Sequence, residues 1–171
     1  EDRSAYRAWR EDVRAQQMQE SGYTDGLESF FSAGIRQFLS ENEGENKVFS
    51  PINVYLELGM LAELTDGESR QQILELIGTD SVEALRTQAK AVWNAQYRND
   101  GVTTSILANS LWLDEKIPVV SSALETLADN YYASSYQGRM GSRRFNRMLQ
   151  DWLNEQTGGL LEKQVRETTL N

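Results

Sequence analysis

Ser50-Pro51 fixes the start of one helix more firmly than any other pair in this chain, and its surroundings constrain much of the rest. A serine hydroxyl accepts a hydrogen bond from an orphan N–H of the first turn. A proline just after it fills the first helical position, where the missing N–H costs nothing. Val48 and Phe49 favour extended backbone, so the sequence predicts a short strand running straight into a helix. Ile52, Val54, Tyr55, Leu56, Leu58, Met60, Leu61, Ala62 and Leu64 then leave only Asn53, Glu57, Gly59 and Glu63 as breaks. An apolar surface that nearly circles a helix predicts burial on most sides.

What the 171 residues lack is equally restrictive. There is no cysteine and no histidine. Disulfides, thiol catalysis, cysteine-ligated metals and a Ser-His-Asp triad are excluded within the chain. A net charge of −9 gives phosphate-mediated nucleic-acid binding little support. Arg139, Arg143 and Arg144 read as a solvated helix start. No apolar run is long enough to span a bilayer, and no basic-then-apolar export signal is visible. If the protein is exported, that signal has been removed or lies outside these residues.

Along the chain, residues 1–22 form a charged leader, either a frayed amphipathic helix or a disordered segment, solvated rather than packed. Thr24 or Asp25 caps a helix with Leu27, Phe30, Phe31, Ile35, Phe38 and Leu39 on one stripe. Residues 41–46 read as a polar turn. After the central helix, Ser69 and Gln72 form a capping-box pattern that launches a short helix closed by Gly78. Asp80 or Ser81 caps the next, whose apolar face is Val82, Leu85, Ala89, Val92 and Trp93, with Arg86, Gln88, Lys90 and Asn94 on its other side. Asn99-Asp100-Gly101 signals a turn. Thr103 to Leu113 is β-rich with apolar residues on both alternate faces, which predicts a long strand covered on both sides. Pro118 precedes a helix reaching Tyr132, and 133–138 is too short and polar for a central strand but compatible with an edge. Ser142 caps a final helix with Phe145, Met148, Leu149, Trp152 and Leu153 on one stripe, ended by Gly158-Gly159.

The carboxylates are scattered; Asp114 and Glu115 read as a solvated turn, and Asp25, Asp66 and Asp80 as caps and turns. No calcium loop, phosphate loop or dinucleotide fingerprint is present. Trp93, Trp112 and Trp152 lie on apolar stripes and read as core. On residues alone the chain is a helix-rich α+β domain with no catalytic constellation and no cofactor site.

Four wordings, in order, resemble those of one family, the third being the helix from Pro118 to Tyr132 with its closing tyrosine pair. Asn46 and Ser50-Pro51 open an apolar helix. Ser105 to Leu113 is similar to an Ala-Asn-x-Leu-[Phe/Trp] strand. Asn146 to Gly159 is similar to an Ile-Asn-x-Trp-Val-x-x-x-Thr-x-Gly helix. Together, over roughly Thr24 to Leu161, they resemble the N-terminal part of the serpins, the serine-protease-inhibitor family. The resemblance implies a serpin-fold fragment: residues 23–171 as the N-terminal part of a serpin domain, with strands of its large central sheet. It also implies that Asn46, Ser50 and Asn53 are polar parts of the shutter that governs opening of that sheet. Asn53 stands where the family usually has a second serine. A serpin is more than twice as long, and its reactive-centre loop lies beyond this chain, so no bait residue is named here.

Two expectations follow from the resemblance. One is the N-terminal part of an extracellular inhibitor that traps serine proteases by acylation and loop insertion, the isolated chain itself not inhibiting and not an enzyme. The other is a non-inhibitory serpin-like module that pairs with a complementary serpin chain through an open strand edge.

Overall fold

Helix α3, Pro51–Leu64, is the element around which the others pack. The computed structural model describes residues 3–40, 44 and 46–171. Before α3 come α1 (Arg3–Gln17) and α2 (Leu27–Ser40), and after it α4 (Gly67–Ile77) and α5 (Val82–Gln96). Then follow β1 (Arg98–Asn99), β2 (Thr104–Ser105), β3 (Asn109–Asp114), α6 (Ser121–Tyr131), β4 (Ala133–Gly138), α7 (Arg143–Gln156) and α8 (Glu162–Val165).

Tyr55, Leu56, Gly59, Met60 and Ala62 of α3 are buried, whereas Leu61 and Leu64 are 47% and 39% exposed. The expected burial on most sides is therefore reached on one broad side only. That side meets Leu74 and Ile77 of α4, Leu85, Ala89 and Val92 of α5, and Leu127 and Tyr131 of α6 in one core. Phe30 and Phe31 of α2 present their edges to Tyr55, with centroids 6.3 and 6.4 Å away. A Cβ on Gly59 would stand 2.6 Å from Cε1 of Tyr131, so a bare backbone is what lets α3 and α6 approach this closely.

Several expected boundaries move. Residues 46–50 form no strand, and Val48 is 94% exposed; a strand needs a paired neighbour, and among the described residues this segment has none. The polar turn expected at 41–46 lies mostly outside the described residues. Helix α4 starts at Gly67, two residues before the expected Ser69, because Asp66 Oδ1 accepts the Gly67 N–H at 2.7 Å. Gln72 reaches Glu68 Oε1 (3.3 Å) instead of closing a capping box. Ser81, Gly78 and Ser142 act as expected: Ser81 Oγ and Ser142 Oγ accept the N–H of Ala84 and Phe145, and Gly78 ends α4 in the left-handed region at φ 75°.

The long strand expected at 103–113 is broken in two. Its first part, β2, folds back antiparallel on β1, with Arg98 opposite Ser105. The break has a cause at Leu107, whose carbonyl accepts the Trp93 indole N–H at 2.6 Å and turns the backbone toward α5. The second part, β3, runs parallel to β4 in register from Asn109↔Ala133 to Asp114↔Gly138. Parallel neighbours need a crossover, and α6 supplies it. Beyond Asn109, the residues of β3 are half-buried rather than covered on both sides. Stacked Trp112 and Tyr136 face each other across the pair (centroids 4.2 Å apart), and α7 covers them with Phe145 at 5.3 Å and Trp152 edge-on at 6.4 Å. Among the described residues no strand pairs with the other edge of β3.

The β1–β2 turn is held by one carboxylate. Asp100 Oδ1 accepts the N–H of Val102 (3.0 Å) and Thr103 (2.8 Å), and Arg98 Nε donates to Oδ2 at 2.6 Å. These backbone donors, then Arg98, pull the Asp100 carboxyl down to about 2 from 3.8. A depressed pKa gives a contribution that is complete above the unfolded value, about 4, and is lost as pH falls through the folded one. The Val102 and Thr103 amide shifts, followed by NMR, should therefore titrate near pH 2, well below an ordinary aspartate.

Candidate functional site

The candidate site is the start of α3 and the polar groups along its buried side. Ser50 is the N-cap, with φ −113° and ψ 97°. Its Oγ accepts the Asn53 N–H at 3.4 Å and donates to Asn53 Oδ1 at 2.8 Å. The cap and the asparagine side chain thus close one small ring, which holds Asn53 over the first turn. Asn46 is not drawn into it; it lies exposed in the extended segment upstream. Of the three residues singled out in the sequence, two are brought together and one is apart. Ser50→Ala should destabilise the fold by about 0.5–1 kcal/mol, the low half of the usual cap range because the site is exposed. Asn53→Ala should cost less, since the backbone N–H remains to be capped; urea denaturation of both variants measures the difference.

Further along α3 the polar groups are deeper. Tyr55, fully buried, donates its hydroxyl to Gln88 Oε1 at 2.9 Å. Gln88 Nε2 in turn donates to the carbonyls of Tyr23 (3.2 Å) and Asp25 (3.0 Å), tying the turn before α2 to α5. Two turns on, Glu63 has a side chain only 4% exposed. Its carboxylate accepts Arg86 Nε at 2.8 Å and Nη2 at 2.7 Å, a bidentate pair, and the Tyr131 hydroxyl at 3.1 Å. Burial pushes the Tyr55 phenol well above its ordinary range. Burial, and then the Glu63 charge, does the same to Tyr131. The hydrogen bond to Glu63 raises the Arg86 guanidinium above its ordinary value. Asn109, 5% exposed, donates Nδ2 to the Tyr131 carbonyl at 2.7 Å and so joins β3 to the end of α6.

These groups form a structural brace, not a reaction centre. Both tyrosines are held protonated, and the carboxylate is consumed by its partners. Among the described residues no group of three or more acidic side chains gathers to hold a metal ion, and no helix is long and apolar enough to cross a membrane. Asp114, read from sequence as a solvated turn, accepts the N–H of Lys116 (3.0 Å) and Met140 (3.2 Å), which holds its carboxyl below the ordinary range. It pins the end of β3 to the loop after β4.

Sequence reasoning missed the Glu63–Arg86–Tyr131 brace. Arg86 and Gln88 lie across α5 from its apolar stripe in the sequence pattern, yet both turn inward to α3 and its neighbours. The usable signal was Glu63 itself: it follows Leu56 and Gly59 at i+7 and i+4, on the buried side of the helix, where a carboxylate demands a partner.

The profile of the family described as Serpin (serine protease inhibitor) matches residues 27–171. Serpin-ZX of Arabidopsis thaliana is 25% identical over 132 residues, 74% of this chain and 34% of the relative. Serpin-Z1C of Triticum aestivum is 24% identical over 140 residues, 77% and 35% respectively. Among solved structures, the thermophilic serpin tengpin in the latent state superposes with a TM-score of 0.73 at 22% identity, over 85% of this chain and 39% of tengpin. An Arabidopsis serpin in a native stressed conformation gives 0.71 at 19% identity, over 90% and 41%. The chain thus spans about a third of the length of the curated relatives it matches. With the β3–α6–β4 unit, the covering α7 and a match extending over most of its length, the chain belongs to the serpin family.

Proposed function

We propose that this chain is the N-terminal part of a serine protease inhibitor acting outside the cell, which traps its target as an acyl-enzyme while a loop inserts into the large sheet. The observation that carries the reading is the parallel β3–β4 pair with one edge of β3 open to a further strand among the described residues, inside a match to the serpin family. The bait bond lies outside these 171 residues, so the isolated chain binds no protease covalently. In this reading Ser50 and Asn53, with Asn46 upstream, tune how readily the sheet opens. Support comes from their place at the head of α3, a helix that contacts β3. An amide in place of the family's second serine gives a bulkier and differently directed bridge. The family is one of serine protease inhibitors.

A second reading rests on the same open edge. The chain acts as a non-inhibitory module that completes its sheet with a complementary serpin chain. Sedimentation of the purified chain, alone and mixed with the C-terminal remainder of a serpin, separates the two. A stoichiometric non-covalent complex lacking inhibitory activity supports the module. A mixture that forms denaturant-stable adducts with a serine protease supports the inhibitor.

A further inference from the structure

Helix α1 lies outside the family match, which begins at Leu27, and carries a feature that match leaves unexplained. Arg3, Arg7, Arg10 and Arg14 recur at intervals of four, three and four. At 100° and 1.5 Å per residue they fall within about 60° of one another on a ridge roughly 16 Å long. All four are exposed, and none forms an ion pair with a carboxylate among the described residues. Asp100 lines the same cleft as Arg10 and Arg14, but it is engaged by Arg98 at 2.6 Å.

Within the helix, Arg10 stands over the Tyr6 ring at 5.8 Å and Arg14 in the last turn suits the helix dipole, yet neither meets a carboxylate among the described residues. The first turn has no acidic residue, and Arg3 there opposes the helix dipole. The helix is instead fixed to the body on a neighbouring side: Gln16 Nε2 donates to Asn94 Oδ1 (3.0 Å), Gln17 Nε2 donates to the Tyr97 carbonyl (2.6 Å), and Trp9 and Val13 are half-buried. On the far flank Ala8 and Ala15 are exposed, and exposed Glu11 lies between them and the ridge.

We propose that the arginine ridge of α1 docks an acidic helix of a partner protein, one whose carboxylates repeat at i, i+4, i+7 and i+11. Such a helix presents its charges at the ridge's own pitch and lets arginine pair with each carboxylate. A membrane suits a broad basic face with apolar residues turned to the lipid, whereas here Trp9 and Val13 turn toward the protein's own body. A long nucleic acid or other polyanion would run past the ridge onto a chain whose net charge is −9. A short acidic helix ends where the ridge ends.

The test is NMR titration of the isotope-labelled 171-residue chain with an alanine-based helical peptide carrying four glutamates at that spacing. A control peptide has the same composition with the glutamates scattered around the helix. The spaced peptide should shift the amides of α1 and bind at least about fivefold more tightly than the control, with affinity falling steeply as salt is raised from about 20 to 200 mM. The Arg7→Gln/Arg10→Gln variant should keep its thermal melt and lose the response. Equal binding by both peptides, tighter binding of an oligonucleotide or of anionic vesicles, or a response that survives in the double variant would each overturn the proposal.

Discussion

Replacing Arg86 with alanine is expected to lower folding stability by about 2–3 kcal/mol. The partner left behind is Glu63, whose side chain is 4% exposed and would keep only the Tyr131 hydroxyl at 3.1 Å. Stripping one member from a buried pair costs roughly 3–5 kcal/mol. The lower figure applies here because the Arg86 side chain is 36% exposed, so water can enter the vacated space. Removing both charges distinguishes burial from a generic arginine effect. Glu63→Met/Arg86→Met should be less damaging than Arg86→Ala alone, since no unpaired charge remains. Urea denaturation of the variants measures this. An Arg86→Ala cost below about 0.5 kcal/mol would place Glu63 in contact with water and remove the brace from the account.

Phe145→Ala should be the most damaging single truncation on the sheet side, at about 3–5 kcal/mol. Phe145 is 2% exposed and packs so tightly on the end of β4 that a Cβ at Gly138 would stand 2.7 Å from its ring. Trp112 and Tyr136 are already stacked on each other 4.2 Å apart, and moving either ring into the vacated volume would break that stack. The loss should appear first as faster hydrogen exchange in α7 than in α3 and α5, because α7 reaches the sheet largely through this ring, Leu149 and Trp152. Arg144→Ala, one residue away and exposed, should change stability by less than about 0.5 kcal/mol. Similar effects from both substitutions would mean that α7 is not anchored as described.

The helices were legible because their signals are local. Ser81, Gly78 and Ser142 are caps that act within one turn, and the stripe from Phe145 to Leu153 is set by helix periodicity alone. The sheet was less legible because pairing is not local. Thr103 to Leu113 has one strand-like composition throughout, yet its two halves choose different partners, and the choice turns on an indole fourteen residues upstream that takes the Leu107 carbonyl. Val48 and Phe49 have the composition of a strand with no described neighbour to make them one. At the candidate site, the Ser50 cap was readable from Ser-Pro, and its hydrogen bond to the Asn53 side chain follows from the same turn. Glu63 and Arg86 lie 23 residues apart on different helices, so only the packing of α5 on α3 reveals them as a pair.

The most direct test of the central claim joins this chain to a C-terminal serpin portion that carries a reactive-centre loop. The resulting protein is incubated with a panel of serine proteases and examined under denaturing conditions. The account predicts an adduct that survives denaturation, at the mass of the protease plus the inhibitor less the peptide released beyond the bait bond, and no adduct with the 171-residue chain alone. Clean cleavage of the longer protein by every protease, with no adduct, would contradict it.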